Sequence, residues 1–305
     1  MQPISLNSTV IPLLPRKICV LLTLVAVFAL PVLGRCADPA KVPNVRTGGS
    51  SSARPGNTAG VPANYQLVWS DEFDKDGLPD ATKWAYDTER NAAGWYNNEQ
   101  QYYAARRLQN SRVKGGKLII TARKEKLTTA PDYGGQSYSS VRLITRGKAS
   151  WTYGFFEVRA KLPGGVGTWP AIWMLGATGN WPDAGEIDIM EQVGKNPTLI
   201  YGTIHTKATL GTDGDGGHIA VADDCDRFHN YQLTWTPDSL SIGMDGKIFH
   251  TYKNPGKGND SWPFDKPQYL LLNVALGGGM AGKVIDDKAL PRQMEVEYVR
   301  VYQKR

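Results

Sequence analysis

The segment Gly185–Gly194, GEIDIMEQVG, places three carboxylates, Glu186, Asp188 and Glu191, between two glycines. Carboxyls at close range can work on one glycosidic bond, one protonating the leaving oxygen and the other attacking the sugar carbon. In a strand, side chains alternate faces, so Glu186 and Asp188 share one face and Glu191 points to the other. Ile187 and Ile189 favour a strand. One extra residue near Met190, a β-bulge, would bring Glu191 round to the face of the other two. The two glutamates then stand effectively four positions apart, with backbones about 13 Å apart at ~3.3 Å per residue. Long side chains leaning inward over a curved sheet could close their carboxyls to about 5.5 Å, the working separation for retaining glycosidases. Three crowded acids repel, so at least one should hold its proton well above the normal range, which suits one glutamate as acid and another as ionised nucleophile. Spacing alone leaves two rivals open, an acidic solvent-facing strand and a cation site.

A strand with this duty needs a sheet around it. After residue 64 come short apolar or alternating runs separated by Gly, Pro, Asn and Asp, among them YQLVWSDEF, GKLIITARK, YGFFEVRAKL, TWPAIWML, TLIYGTIHT, NYQLTWT and QYLLLNVAL. No long stretch has helical spacing. The pattern predicts an all-β sandwich of two antiparallel sheets. Asp245-Gly246 marks a hairpin. In the last run Val296, Tyr298, Arg300 and Tyr302 alternate with Glu297, Val299 and Val301, and this run could pair with the first strand, closing 65–305 into one domain.

The 305 residues include nine Trp and fourteen Tyr, a supply suited to a core or to a sugar-binding surface. Arg16 and Lys17 precede the apolar run Ile18–Leu33, which ends in Gly34-Arg35-Cys36-Ala37. That arrangement reads as a secretory signal over 1–37, too short for a comfortable membrane span. The expected location is secreted or periplasmic, with no stable membrane insertion after processing. Residues 38–64, rich in Gly, Ser, Pro and Asn, read as a flexible linker. The net charge of +6 loses the three bases Arg16, Lys17 and Arg35 with the signal, which weakens any polyanion-binding reading, and no nucleic-acid partner is expected. Cys225 is the one cysteine in the body, so no internal disulfide is expected there and a large core must supply stability. No Cys/His spacing suggests zinc, and Gly277–Gly279 lacks a phosphate-binding pattern.

EIDIME resembles the Glu-x-Asp-x-x-Glu signature of glycoside hydrolase family 16, in the bulged form of its laminarinases, which are endo-acting β-1,3-glucanases. LVWSDEFD, NNEQQYY, YGFFEVRAKLP, WPAIWML, YGTIHT, LTWTPDSLS and EYVRVY are similar to family blocks and follow in family order. The resemblance implies a concanavalin-like β-jelly roll whose concave sheet forms a sugar cleft. It implies Glu186 as nucleophile, Glu191 as acid/base and Asp188 as the residue tuning the nucleophile. The segment KATLGTDGDGGHIAVADDCD after His205 matches the laminarinase pattern only loosely. The family implies a polysaccharide substrate, and a monomer is expected.

Around this centre, Trp169 and Trp173 lie four apart in a strand-like stretch and so share a face, where flat rings could meet sugars or pack as core. His205 could hydrogen-bond a carboxylate or a sugar hydroxyl. Asn97 or Asn98, Arg142, Trp181 and Asn273 are further subsite candidates. No organic cofactor is expected. The family often carries a structural calcium, and Glu72, Gly116 and Glu297 fall in the matching places, with Glu297 standing where the family usually has Asp. The activity expected is retaining hydrolysis of internal β-1,3 bonds. Mixed-linkage glucanase, agarase-like hydrolysis, transglycosylation and a non-catalytic carbohydrate-binding jelly roll are the alternatives.

Overall fold

The computed structural model describes residues 60–210, 212–221 and 225–305. The signal reading and most of the linker reading therefore lie outside the described residues. The strands are β1 (Tyr65–Asp71), β2 (Ala85–Tyr86), β3 (Gln101–Tyr103), β4 (Ser111–Val113), β5 (Leu118–Lys124) and β6 (Tyr138–Ser140). They continue with β7 (Arg142–Ile144), β8 (Gly154–Lys161), β9 (Thr168–Gly176), β10 (Glu186–Val193), β11 (Asn196–His205) and β12 (Asp215–Ala220). Last come β13 (His229–Trp235), β14 (Ser239–Met244), β15 (Lys247–Lys253), β16 (Gln268–Leu276) and β17 (Arg292–Lys304). Among the described residues the helical segments are short 3-10 turns, as the absence of helical spacing leads one to expect.

Two sheets form. The larger runs β15-β14-β13-β8-β17-β5-β6-β3, with β1 added on β17 and β4 on β5; the smaller runs β12-β11-β10-β9-β16-β7-β2. The first and last strands do pair, from Tyr65 opposite Lys304 to Asp71 opposite Val299. The Asp245-Gly246 hairpin forms with both residues at positive φ, 50° and 81°, the geometry of a type I′ turn. Three details depart from the sequence reading. First, β3 and β6 pair in parallel. Second, the loosely matching segment after His205 contributes β12, which pairs with β11 as an added edge strand. Third, the simple alternation in β17 breaks: its register shifts between Val296 and Tyr298. Glu297 takes up the extra place, so Val296 faces inward with Val299 and Val301 while Tyr298, Arg300 and Tyr302 turn out.

The core fills the space between the sheets. Phe156, Val158, Tyr231, Leu233, Trp235, Val299 and Val301 of the larger sheet meet Ile172, Met174, Ile187, Ile189, Met190, Leu270, Leu272 and Val274 of the smaller. Each such aliphatic or aromatic side chain stabilises the fold by about 1.5–3 kcal/mol when removed from water. This packing holds the described sandwich together. The inward face of the smaller sheet is thus committed to packing. Its outer face is left for chemistry.

Candidate active site

Strand β10 is pinned at both ends by the two glycines. Gly185 has φ +72°, and a Cβ there would sit 2.6 Å from Phe264 Cε1 and Pro263 Cγ. A Cβ at Gly194 would run into the Gly165 carbonyl and the Thr168 hydroxyl. Only glycine fits either place. Between them the bulge forms where the spacing requires it. Against β9, Asp188 lies opposite Trp173, Met190 opposite Ile172 and Glu191 opposite Ala171, so three steps on β10 match two on β9. Ile189 and Met190 are both fully buried, and Glu191 returns to the outer face.

Because directly opposed residues share a face, the register lays out that surface in rows across the strands. One row is Tyr269, Leu175, Glu186 and His205. The next is Ala85, Ile144, Leu271, Trp173, Asp188, Thr203 and Gly216. The third is Arg142, Asn273, Ala171, Glu191, Tyr201 and His218. The acids therefore sit in three successive rows at mid-sheet.

Their electrostatics follow from crowding in a half-closed surface. A hydrogen bond joins the Glu186 and Asp188 carboxyls, so a proton is shared between them. Burial, then the Asp188 charge, pushes Glu186 up to about 8. Burial, then the Glu191 charge, raises Asp188 well above the ordinary range. Burial, then the Glu186 charge, pushes Glu191 up to about 7. Asp188 is only 3% exposed whereas Glu186 is partly open, and the bond between them raises Glu186 while it lowers Asp188, which sets the shared proton on the Glu186 side. His205 Nε2 stands 3.3 Å from Asp188 Oδ2. One ligand atom each from Glu186, Asp188 and His205 lies within 4.8 Å of the others, so the cation-site rival has a concrete location here too.

The neighbouring candidates divide by what holds them. Trp169, 8% exposed, donates its indole N–H to Glu191 Oε1 at 2.9 Å. Trp173 is partly exposed and donates to Asn273 Oδ1 at 2.7 Å, with the Arg142 guanidinium 4.5 Å from its ring centre. Arg142 is buried and ion-pairs with Asp87, Nε to Oδ2 3.1 Å. Asn97 and Asn98 are exposed, both at positive φ, in a turn whose Asn97 carbonyl accepts the Gly279 N–H at 2.8 Å. The same glycine loop lies against Trp169, since a Cβ on Gly279 would be 3.5 Å from its ring. Trp181 is 53% exposed.

Sequence reasoning missed several groups. Tyr201, Thr203 and His218 share the face of the acids, and the Tyr201 and His218 rings stand 5.9 Å apart. Glu99 is a fourth carboxyl, raised first by burial, and its charge adds to the repulsion on Glu191. The alternation of Glu99, Gln101 and Tyr103 in NNEQQYY was the available signal.

The residues expected to hold calcium behave differently. Glu72 is gripped by Arg300 through two bonds, Nε–Oε1 2.9 Å and Nη2–Oε2 2.8 Å, and Glu297 by Arg159, Nε–Oε2 2.7 Å. Gly116 is in the turn between β4 and β5. A hard dication seeks uncommitted anionic oxygens, so a pair of carboxylates already neutralised by two guanidinium groups does not fit it.

Comparison with known proteins points to one family. Residues 96–300 match the family described as glycosyl hydrolases family 16. The chain is 49% identical over 253 residues to a β-glucanase of Rhodothermus marinus, covering 78% of this chain and 85% of that one. It is 38% identical to a glucan endo-1,3-β-glucosidase of Cryptopygus antarcticus, covering 77% and 91%. Among solved structures it resembles SCLam, a non-specific endo-β-1,3(4)-glucanase, with 57% identity, a TM-score of 0.77 and coverage of 80% and 93%. With a three-carboxylate strand, a two-sheet jelly roll and a match over most of its length, the chain belongs to glycoside hydrolase family 16.

Proposed function

We propose that the enzyme hydrolyses internal β-1,3 linkages of a β-glucan such as laminarin by double displacement, with retention of configuration. The observation that carries this reading is the bulge at Ile189-Met190, which returns Glu191 to the face of Glu186 and Asp188. Trp169 occupies Oε1 of Glu191, so the proton of this acid stands on Oε2, and a value of about 7 keeps much of it there at neutral pH. That proton passes to the glycosidic oxygen while the Glu186 carboxylate attacks the anomeric carbon, releasing the aglycone and leaving a glycosyl ester on Glu186. Glu191, now ionised, takes a proton from water as the water attacks the anomeric carbon and expels the Glu186 carboxylate. Asp188 takes the shared proton as Glu186 attacks, which frees the nucleophile's carboxylate. Trp173, His205, Asn97, Arg142, Trp181 and Asn273 supply the surroundings of the bound chain.

A second specificity has an observation of its own. The similarity to SCLam, whose name includes action on 1,3(4)-glucans, supports acceptance of mixed-linkage β-1,3-1,4-glucan as well. Residues 1–37 support export, to the periplasm or the exterior, by their charged, apolar and small-residue order. We take the working form to be a monomer.

The test is proton NMR of the first products from laminarin and from mixed-linkage glucan, with and without a chelator. A new reducing end appearing first as the β-anomer, at the same rate with chelator present, is expected. An initial α-anomer would contradict double displacement, and loss of hydrolysis with chelator would favour a cation at Glu186, Asp188 and His205.

A further inference from the structure

Glu99 lies outside the catalytic strand, yet the hydrogen bonds around it run in one direction and end on it. An indole can only donate, so the bond from Trp173 Nε1 fixes Asn273 Oδ1 as acceptor. Asn273 Nδ2 must then donate, and it does so to the Tyr103 hydroxyl at 3.1 Å. The hydroxyl, with its acceptor side used, sends its own proton to Glu99 Oε2 at 3.1 Å. Gln101 is oriented in the same way: its Oε1 accepts the Leu276 backbone N–H at 2.7 Å, which leaves Nε2 to donate to Glu99 Oε2, also at 2.7 Å. Gln101, Tyr103 and Asn273 are 0%, 1% and 5% exposed, so water cannot readily replace a lost partner in this chain.

We infer that Glu99 is a positioning residue for the sugar-binding surface, its Oε2 closing a one-way chain, Trp173 to Asn273 to Tyr103 to Glu99, that fixes the plane of the Trp173 ring. The inference rests on the reading of this face as the glucan site. It extends that reading to a residue of another strand neighbourhood, brought in from β3 and its preceding turn. Arg142, 4.5 Å from the Trp173 ring centre and 5.2 Å from that of Trp95, restrains the same ring, and the chain settles the remaining freedom about the indole N–H. A platform held in this way binds ground state and transition state alike. Loosening it therefore raises KM and spares kcat.

The experiment measures kcat and KM on a β-1,3-gluco-oligosaccharide for Tyr103→Phe, Glu99→Leu, the double variant and Glu99→Gln, with Glu186→Ala alongside. Tyr103→Phe removes one hydroxyl and keeps the ring. Glu99→Leu removes the terminal acceptor, whereas Glu99→Gln retains an acceptor oxygen. The expected result is a rise in KM of about threefold to tenfold for Tyr103→Phe and for Glu99→Leu, the range set by one buried hydrogen bond. At a pH below the alkaline limb, where Glu191 keeps its proton with or without the Glu99 charge, kcat should stay within about twofold, because the bonds lost are shared by ground state and transition state. The double variant should be no worse than the poorer single, because both break one chain. Glu99→Gln should recover most of the loss. Additive effects, a fall in kcat at constant KM, or Glu99→Gln as damaged as Glu99→Leu would each overturn the inference. Full activity in Glu186→Ala would instead remove the site reading beneath it, a separate failure.

Discussion

Trp169 Nε1 and Glu191 Oε1 stand 2.9 Å apart, so an indole beside the acids directly supports the proposed general acid. A donor to a carboxylate favours its ionised form, and this bond lowers a Glu191 value that burial and Glu186 raise to about 7. The alkaline limb of kcat/KM, which follows loss of the acid's proton from the coupled carboxyls, is therefore expected in the neutral range. Trp169→Phe removes the donor and should move that limb to higher pH. A limb that stays in place or moves down would show that Trp169 does not tune Glu191.

The same raised values bear on stability. Glu186 at about 8 and Glu191 at about 7 both exceed the ordinary glutamate value of 4.5. Between those limits the folded chain holds protons that the unfolded chain has released, so stability falls as pH rises from about 4.5 toward 8. Glu186→Gln and Glu191→Gln each remove their own share of this loss. Each should raise the melting temperature at pH 8 and do so less at pH 5, by about 2–4 °C per kcal/mol gained for a domain of this size. Equal shifts at the two pH values would contradict the assignment.

Gly185 opens the acid strand at φ +72° with Phe264 and Pro263 where a side chain would go. Gly185→Ala should cost about 2 kcal/mol or more, from backbone strain and a displaced core ring. Thermal melting checks this. A variant as stable as the parent would mean that the turn into β10 has room to relax.

Arg300 and Glu72 staple β17 to the residue that follows β1 with two charge-assisted bonds. Because that pair stands where a calcium was expected, chelator should leave the melting temperature within about 1 °C, while Glu72→Ala should lower stability by about 1–2 kcal/mol. A large fall with chelator, restored by calcium, would show that the carboxylates serve a metal after all.

Much of the site was legible because it lies in local periodicity. The odd interval from Asp188 to Glu191 demanded a bulge, and two apolar residues were present at Ile189-Met190 to occupy it. Trp169 and Trp173 shared a face for the same reason of period. In β17 period alone misled, since Glu297 is itself a bulge and nothing in the alternation of valines and tyrosines marked it. Glu99 shared its period with Gln101 and Tyr103, but its link to the sugar face was beyond reach: the chain through Tyr103 to Asn273 joins residues 170 apart, and only the fold supplies that register. Arg300 and Arg159 likewise reach Glu72 and Glu297 across strands, which is why the acids looked available to a metal.

The division of labour between the two glutamates is the central claim, and azide rescue of their alanine variants on an aryl β-glucoside oligomer with an acidic phenol tests it most directly. A good leaving group needs no acid, so Glu191→Ala should form the glycosyl-enzyme and stall for want of a base, and azide should speed turnover and give the β-glycosyl azide. Glu186→Ala lacks the nucleophile, and azide in its place should give the α product. The account predicts β from Glu191→Ala and α from Glu186→Ala; the reverse pairing of anomers would contradict it.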